Sequence, residues 1–439
     1  MHRIIFTLVG LVTDVAPPIF VAVPSTHHQI MIRKMLLPLL SYAYLILACG
    51  TSNTQPPVAK HVGIDTTTHF KQLTTKEKEY YFNAITPLYK NTLLQKGFNG
   101  AILAAKNGDI VFEDYHGFAN FKTKELITAT TPFHLASISK TFTAMTTLRM
   151  MEQGKLALED DVKKYLPTFP YSNVTIKDLL THRSGLPNYI YFMEGGREIQ
   201  YIRKLNRRGR SVLVRSGVIN RGPGFVGLAT NQDVLNWMAT KRPPIEASPD
   251  RVFKYCNTNY VLLALIVEKV TGLSFPTYMK DSVFTPLGMV NSFIFTAKDI
   301  PNYTPSYMGT RPAAIEKFDC VYGDKCVYST VRDMLHWDKA LYEGNFVSKP
   351  TLEMAFKGYS NEHRGEHNYG LGWRLLVEPN QTIIYHNGWW HGNNTVFTRL
   401  VKDSATLIIL GNRFNRNIYA ARKLTSVFTG SVDTTRLIE

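Results

Sequence analysis

The chain is poor in cysteine and in the residue spacings that metal sites need. Only four of its 439 residues are cysteine, and neither a Cys-x-x-Cys pair nor a histidine cluster accompanies them. Structural zinc sites draw their ligands from such groups, so the sequence predicts no metal centre, and nothing in it requires a cofactor. Cys320 and Cys326 are close enough in sequence to form a disulfide in an oxidising compartment, or to remain two small buried thiols.

Acidic residues are scarce as well, and the excess positive charge is concentrated in one segment. Lys and Arg total 50 against 34 Asp and Glu, a formal net charge of +16. A segment at about 195–225 has Glu198 as its only acid between positions 197 and 221, and its basic residues are Arg197, Arg203, Lys204, Arg207, Arg208, Arg210, Arg215 and Arg221. Because no nucleic-acid-binding motif accompanies them, we predict a solvated insertion and no nucleic-acid partner. Attraction to anionic lipid is the alternative.

Long apolar runs are few, and the one at residues 36–47 lies in a predicted targeting segment. It follows the basic pair Arg33-Lys34, is short for a membrane span, and ends at Ala48-Cys49. This order resembles a bacterial lipoprotein signal over 31–48, with Cys49 as the lipidated residue, although a plain signal peptide or a membrane anchor would share most of it. Residues 1–30 fit poorly and indicate a start codon assigned too far upstream. We therefore predict an exported lipoprotein, attached by its lipid anchor to a membrane and facing the periplasm or the cell exterior.

The spacing of apolar residues predicts a sheet built from both ends of the chain. After a linker at 49–75, one catalytic unit is expected over 76–439. Strand patterns fall at 100–105, 110–115, 382–385, 395–401 and 405–410. Helical patterns fall at 76–94, 141–153, 175–181, 259–270 and about 418–428. We predict an α/β fold of the α+β type, with an antiparallel sheet flanked by helices and a largely helical region inserted between its two halves.

Ser137 and Lys140 form the only S-x-x-K in the chain, at the start of a predicted helix. A spacing of three places both side chains on one helical face. A serine hydroxyl is too weakly acidic to attack a carbonyl at neutral pH without a nearby base, and a desolvated lysine can serve. One S-x-x-K arises by chance in many chains of this size, so the surrounding residues decide whether it is catalytic.

Those surroundings resemble the class C β-lactamase and DD-peptidase-like serine hydrolase family. Residues 133–144, Phe-His-Leu-Ala-Ser-Ile-Ser-Lys-Thr-Phe-Thr-Ala, are similar to its active-site helix, and 179–187, Leu-Leu-Thr-His-Arg-Ser-Gly-Leu-Pro, to a further signature. The resemblance covers about 95–430. It implies the serine β-lactamase/DD-peptidase-like fold and an acyl-enzyme on Ser137, formed from an ester, a D-amino-acid amide or a peptidoglycan-like peptide. A penicillin-binding-type, sensor or scaffold protein with little turnover is the alternative.

The resemblance implies a Y-x-N element, in which tyrosine moves the proton and asparagine orients lysine and substrate. The letters occur several times in the chain, but only Tyr255-Cys256-Asn257 directly precedes the apolar helical pattern where the family places it. We therefore predict Tyr255 and Asn257 as catalytic residues.

The third family element is K-T-G or H-x-G, and His386-Asn387-Gly388 fits its position. His61-Val62-Gly63 has the same letters but precedes the catalytic region. The resemblance then places an oxyanion hole at the main-chain N–H groups of Ser137 and Trp389.

Histidine at 386 removes the fixed positive charge of a lysine, so the resemblance favours an esterase or D-peptidase over a β-lactamase. We expect a neutral His386 to hydrogen-bond the Tyr255 region. Trp389 and Trp390 either line the acyl pocket or pack within the sheet. Residues 323–330 resemble a loop of the family in which glycine commonly stands where this chain has Cys326, so the resemblance leaves the shape of this loop open.

Overall fold

The computed structural model describes residues 70–205, 211–362 and 365–429. The predicted targeting segment, Cys49, most of the linker and His61-Val62-Gly63 lie outside these ranges. The strands, in chain order, are β1 (Gly100–Lys106), β2 (Asp109–His116), β3 (Phe118–Asn120), β4 (Glu125–Leu126), β5 (Phe133–His134), β6 (Gly196–Leu205), β7 (Ser211–Gly222), β8 (Phe293–Ile294), β9 (Tyr307–Met308), β10 (Arg311–Pro312), β11 (Val327–Ser329), β12 (His367–Tyr369), β13 (Arg374–Val377), β14 (Thr382–Trp390), β15 (Asn393–Leu400) and β16 (Ala405–Gly411).

The main sheet joins the two ends of the described chain, as predicted. Its strand order is β12-β13-β14-β15-β16-β1-β2, and every neighbouring pair is antiparallel. β1 and β16 pair from Gly100 opposite Gly411 to Lys106 opposite Ala405. A smaller sheet, β5-β11-β8, leads into the predicted nucleophile.

Helices occupy the middle of the chain and both faces of the sheet. They are α1 (Thr75–Thr92), α2 (Ser139–Glu152), α3 (Ile176–Leu180), α4 (Tyr189–Phe192), α5 (Asn231–Lys241), α6 (Asn257–Thr271), α7 (Phe275–Met279), α8 (Val331–Glu343), α9 (Lys349–Ala355), α10 (Asn417–Ala420) and α11 (Ser426–Thr429). The predicted helices at 76–94, 141–153, 175–181 and 259–270 correspond to α1, α2, α3 and α6.

The alternation of side chains along β16 shows how the sheet is packed. Ile408 and Leu410 join the large core formed with the inserted helical region, whereas Leu407 and Ile409 join a second core with the terminal helices α1 and α10. Successive side chains of a strand point to opposite faces, so each face of the sheet is covered by one group of helices. The fold is therefore the predicted antiparallel sheet between two helical layers.

Two details differ from the sequence-based expectation. The inserted middle region, predicted to be largely helical, also contains a two-stranded antiparallel hairpin, because β6 and β7 of the basic segment pair with each other. The strand predicted at 382–385 continues to Trp390, since it pairs with β15 along its whole second half. His386, Asn387 and Gly388 therefore lie within β14 rather than after it.

Within the described ranges, no single helix is long and apolar enough to cross a membrane. Only α6 together with the segment Phe275–Phe284, bent by 78° between them, passes that test by length and composition.

Candidate active site

Ser137 lies in a tight helical turn at 136–138, between β5 and α2. Ala136 has a φ of 50°, a left-handed conformation that a non-glycine residue adopts only when its surroundings enforce it. Here the Thr395 hydroxyl donates to the carbonyl of Leu135 over 2.7 Å, and β14 packs against the turn. The turn is thus fixed by the main sheet and leaves Ser137 half-buried at the start of α2.

Lys140 lies one helical turn after Ser137 and is fully buried. Its Nζ donates to the Oγ of Ser137 over 3.1 Å and to the main-chain carbonyl of Asp324 over 2.8 Å. The carbonyl holds the amine beside the hydroxyl, at a distance over which a proton can pass between them. The structure therefore brings the S-x-x-K pair into direct contact.

The loop that carries Asp324 has a left-handed residue at the position where the family commonly has glycine. Cys326 has a φ of 80°, which glycine adopts at much lower cost. Its thiol contacts the carbonyl oxygens of Asp319 and Val321, each at 3.1 Å, and these contacts hold the residue in place. Cys320 and Cys326 are both buried free thiols.

Tyr255 reaches the same site from the segment before α6. Its ring centroid is 5.1 Å from the Nζ of Lys140 and 4.2 Å from the ring of His182. His182 holds the residues on either side of Tyr255. Its main-chain carbonyl accepts a hydrogen bond from the N–H of Lys254, and its Nδ1 accepts one from the N–H of Cys256. Burial, followed by the nearby cation Lys140, holds the pKa of His182 well below its ordinary value. The histidine of the Leu-Thr-His-Arg signature is thus a neutral residue that positions Tyr255.

Asn257 opens α6 but does not hold Lys140 as the resemblance implied. Its Oδ1 is buried and has no hydrogen-bond partner among the described residues. Lys140 instead uses the carbonyl of Asp324. A buried amide oxygen costs free energy when it is left unpaired, so Asn257 is suited to accept a hydrogen bond from a bound substrate.

His386 is fully buried on β14, with its ring centroid 6.4 Å from that of Tyr255. Its Nδ1 is 2.7 Å from the carbonyl of Asn387, to which it donates, and its Nε2 is 3.3 Å from the hydroxyl of Tyr369, from which it accepts. Burial, then the cations Arg374 and Lys140, keep the pKa of His386 well below its ordinary value. The expectation of a neutral imidazole agrees with this environment, but its hydrogen-bond partner is Tyr369 rather than Tyr255.

Gly388 permits β14 to approach the nucleophile turn. A Cβ at this position would lie 2.2 Å from the Oγ1 of Thr395 and 2.3 Å from the carbonyl of Leu135. The side chains of the next two residues, Trp389 and Trp390, lie on opposite faces of β14, because side chains alternate along a strand. Trp389 is 63% exposed and packs near Phe414, away from the face that carries His386. Trp390 shares the face of His386 and Gly388, so Trp390 alone of the two tryptophans lines the site.

Beyond Trp390 lies a small cavity of about 20 Å³, lined by aromatic rings, by small side chains and by an ion pair between His391 and Asp319. His391 Nε2 lies 2.9 Å from the carboxylate of Asp319, which also accepts from the indole N–H of Trp390 over 2.7 Å. Burial lowers the pKa of His391, but the hydrogen bond and charge of Asp319 outweigh it and raise that pKa above its ordinary value. Asp319 thus fixes the orientation of the Trp390 side chain.

Known proteins resemble this chain in sequence and in fold. The family model described as Beta-lactamase matches residues 85–428. The chain belongs to the Beta-lactamase family. Penicillin-binding protein 4* of Bacillus subtilis (strain 168) is 32% identical over 334 residues, which cover 72% of this chain and 68% of that protein.

Solved structures of other proteins share the fold. An octameric penicillin-binding protein homologue from Pyrococcus abyssi superposes with a TM-score of 0.64 at 23% identity, over 80% of this chain and 77% of that chain. D-amino acid amidase from Ochrobactrum anthropi SV3 gives a TM-score of 0.62 at 19% identity, over 81% of this chain and 99% of that chain. The chain therefore has the predicted β-lactamase/DD-peptidase-like fold, and as a member of the Beta-lactamase family it is a serine hydrolase.

Three side chains near the family motifs were missed by reasoning from sequence. Tyr369 binds His386, and the guanidinium of Arg374 lies 5.2 Å from the ring centroid of Tyr255. Lys325, next to Asp324, is 3% exposed. Tyr369 begins a Tyr-Gly-Leu-Gly-Trp run at 369–373, which is the sequence signal that could have indicated this region. The strand pairing that brings Arg374 opposite Tyr385, and so beside His386, has no sequence signature.

Proposed function

We propose that the protein hydrolyses an ester or a D-amino-acid amide or peptide through an acyl-enzyme on Ser137. The observation that carries the proposal is the 3.1 Å contact between the Nζ of Lys140 and the Oγ of Ser137, with the same Nζ held by a main-chain carbonyl. A nucleophile and its base at hydrogen-bond distance, on one rigid helix, are the arrangement that nucleophilic catalysis requires.

In the acylation step, Lys140 together with Tyr255 accepts the proton of Ser137 as its Oγ bonds to the carbonyl carbon. The N–H groups of Ser137 and Trp389 stabilise the negative charge on the carbonyl oxygen. The bond to the alcohol or amine leaving group then breaks, and the leaving group takes up the proton held by Lys140 or Tyr255. Asn257 accepts a hydrogen bond from the substrate through its unpaired Oδ1.

In the deacylation step, a water molecule near Tyr255 transfers a proton to the Tyr255 side chain and adds to the carbonyl carbon of the acyl-enzyme ester. The bond to Ser137 breaks, the hydroxyl regains its proton, and the acid product leaves. His386 stays neutral in this scheme and supports the site through Tyr369.

Arg374 supports a second candidate, a penicillin-binding-type enzyme acting on carboxylate-bearing peptides. The sequence suggested that histidine at 386 leaves the site without a fixed cation. The guanidinium of Arg374 lies 5.2 Å from the Tyr255 ring, so such a cation is present on the neighbouring strand. Arginine is well suited to bind a carboxylate through two parallel hydrogen bonds.

A serine-directed fluorophosphonate is expected to label Ser137, because the base beside it makes this hydroxyl the most nucleophilic of the chain. The measurement is peptide mapping by mass spectrometry after reaction of the whole protein. Ser139, two residues away and buried, provides a matched control as Ser139→Ala, which should still be labelled, whereas Ser137→Ala should not.

Label on another serine, or equal labelling of Ser137→Ala, would contradict the assignment. A stable adduct at Ser137 from an ester substrate, without continued turnover, would instead favour the sensor or scaffold alternative. Steady release of product after a short burst would favour the hydrolase.

We also propose that the protein is an exported lipoprotein, based on Arg33-Lys34, the apolar run at 36–47 and Ala48-Cys49. Mass spectrometry of the mature amino terminus is expected to find Cys49 carrying a diacylglycerol group, since stable anchoring needs at least two acyl chains. Cys49→Ser should release the protein from the membrane fraction. An unmodified amino terminus at another residue would leave a plain signal peptide or a membrane anchor.

A further inference from the structure

His134 is a buried polar residue that the catalytic scheme does not use. It ends β5, shortly before Ser137, and its Nδ1 accepts a hydrogen bond from the N–H of Ala136 over 3.0 Å. Because Nδ1 accepts this bond, the single proton of the neutral ring lies on Nε2. Burial, which outweighs the charge of Asp319, lowers the pKa of His134 to about 3, so Nδ1 remains an acceptor near neutral pH.

Strand β11 holds the chain on both sides of the nucleophile. His134 pairs with Tyr328 of β11, whose ring packs edge-on against the imidazole with the two centroids 5.1 Å apart. The N–H of Leu135 donates to the carbonyl of Val327 over 2.8 Å, and the N–H of Val327 donates to the Oγ of Ser139 over 3.1 Å. The imidazole is therefore held in a fixed position beside the nucleophile turn.

The hydrogen bond to His134 comes from a residue with an unfavourable main-chain conformation. Ala136 has a φ of 50°, where the Cβ of an L-residue lies too close to the following carbonyl oxygen. Ala136 also opens the turn at 136–138, and the first N–H groups of a helical turn have no partner within it. A side-chain acceptor at such an N–H stabilises the start of a helix, and His134 provides one at Ala136.

The conformation of Ala136 sets the direction of the next N–H group along the chain. The peptide bond between Ala136 and Ser137 is planar, so its N–H turns as a unit with the main-chain angles of Ala136. That N–H is one of the two donors of the predicted oxyanion hole, and such donors are effective when they already point at the oxygen that gains charge. An acceptor that fixes Ala136 therefore also fixes a donor of the reacting centre.

We propose that His134 is a positioning residue for acyl transfer: by holding Ala136 in its left-handed conformation, it directs the N–H of Ser137 towards the carbonyl oxygen of the substrate. The inference rests on the proposed acyl-enzyme function and adds to it a residue outside the S-x-x-K, Y-x-N and H-x-G elements. His134 acts through Ala136 and does not itself contact the substrate.

The test replaces His134 by two amides that place their oxygen differently. The side-chain oxygen of His134→Asn can take the position of Nδ1, whereas that of His134→Gln reaches the position of Nε2. We expect His134→Gln to lower kcat for a neutral ester at least about 10-fold, and His134→Asn to keep at least about a third of the wild-type kcat. KM should stay within about 2-fold in both variants, because the bound ester does not yet carry the negative charge that the N–H stabilises.

Ala136→Gly tests whether His134 acts through Ala136. Glycine adopts a positive φ without the clash of a Cβ, so the turn then depends less on its hydrogen bond. In the Ala136→Gly background we expect His134→Gln to lower kcat by no more than about 3-fold, so that the two effects are not additive. The rate at which the fluorophosphonate labels Ser137 should show the same pattern, since this reaction uses the same turn.

Phe133→Leu is the matched control for lost packing. Phe133 is the other residue of β5, is fully buried and has no role in the proposed scheme. This variant should unfold at a lower temperature but keep its kcat within about 2-fold of the wild-type value.

A purely structural role would give a His134→Gln variant with a lower unfolding temperature but wild-type kcat and labelling rate, and the inference would be wrong. It would also be wrong if His134→Gln lost as much kcat in the Ala136→Gly background as in the wild type. If His134→Gln does not fold, the kcat of His134→Asn decides the question at the same threshold of about a third. A wild-type protein that neither turns over the ester nor is labelled at Ser137 would overturn the proposed function and the inference with it.

Discussion

Lys140→Met is expected to lower kcat/KM for a simple ester by about 10³-fold, within the range that general-base catalysis contributes. Methionine fills nearly the same volume but cannot take the proton of Ser137, which lies 3.1 Å from the Nζ in the wild-type protein. The hydroxyl then reacts only as rarely as an unassisted serine. The measurement is the initial rate of ester hydrolysis against substrate concentration, with thermal unfolding followed on the same sample.

Lys140→Arg separates the loss of the base from the loss of positive charge. Arginine keeps the charge and the donors but does not deprotonate, so the variant should be as inactive as Lys140→Met. Lys106→Met, a lysine on β1 that also binds a main-chain carbonyl, should keep wild-type activity. Retention of more than about a tenth of the activity in Lys140→Met would show that another group, such as Tyr255, accepts the proton alone.

The fold was predictable from sequence because its sheet obeys simple periodicity. The strands β1, β15 and β16 are apolar runs bounded by turn residues, and each was predicted within a few positions. The second half of β14 was not recognised as strand. Its residues 386–390 carry the motif, a glycine and two tryptophans, which show no alternation of polar and apolar side chains. Pairing with β15 makes this segment extended.

The nucleophile pair and the choice of Tyr255 depended on local spacing and on chain context. Helical geometry alone brings Ser137 next to Lys140, and Tyr255 was selected from several Y-x-N triplets because an apolar helix follows it. The structure places its ring 5.1 Å from the Lys140 Nζ. Contacts that form only in three dimensions were not predictable: Asp324 as the partner of Lys140, and Tyr369 as the partner of His386.

The basic insertion shows a different limit. Its composition gives the charge of the segment but not its secondary structure, because the order of Ile, Val, Arg and Lys in it suits neither a regular helix nor a regular strand. Its two halves pair from Gly196 opposite Gly222 to Leu205 opposite Ser211, with two register shifts. Bulges of this kind disturb the strict alternation on which sequence-based assignment of strands depends.

His386→Ala is expected to lower kcat/KM for a neutral ester by about 10²-fold. The neutral ring donates through Nδ1 to the carbonyl of Asn387 and accepts from Tyr369 through Nε2. Alanine removes both bonds and leaves a gap beside Tyr255. Because the pKa of His386 lies well below its ordinary value, its protonation should not reduce activity near pH 6.5, and any acid limb that it causes should lie at lower pH.

The same pKa shift predicts how the stability of the folded state depends on pH. Below about pH 6.5 the unfolded chain takes up a proton at His386, whereas the folded protein does not. The unfolded state binds more protons, so the free energy of unfolding falls as the pH falls. His182 and His134 have pKa values lowered by burial and act in the same direction. The difference in the free energy of unfolding between the wild-type protein and His386→Ala measures the contribution of His386 alone. This difference should decrease below pH 6.5 by up to about 1.4 kcal/mol per pH unit.

Tyr369→Phe provides the matched control for the role of His386, since it removes only the hydroxyl that binds Nε2. The two substitutions share one hydrogen bond, so their effects on kcat/KM in the double variant should be less than additive. Tyr369→Phe alone should cost less than His386→Ala, because the Nδ1 bond and the ring remain. If His386→Ala kept full activity and the wild-type pH profile, this histidine would be an ordinary buried strand residue, and the third catalytic motif would have to lie elsewhere in the chain.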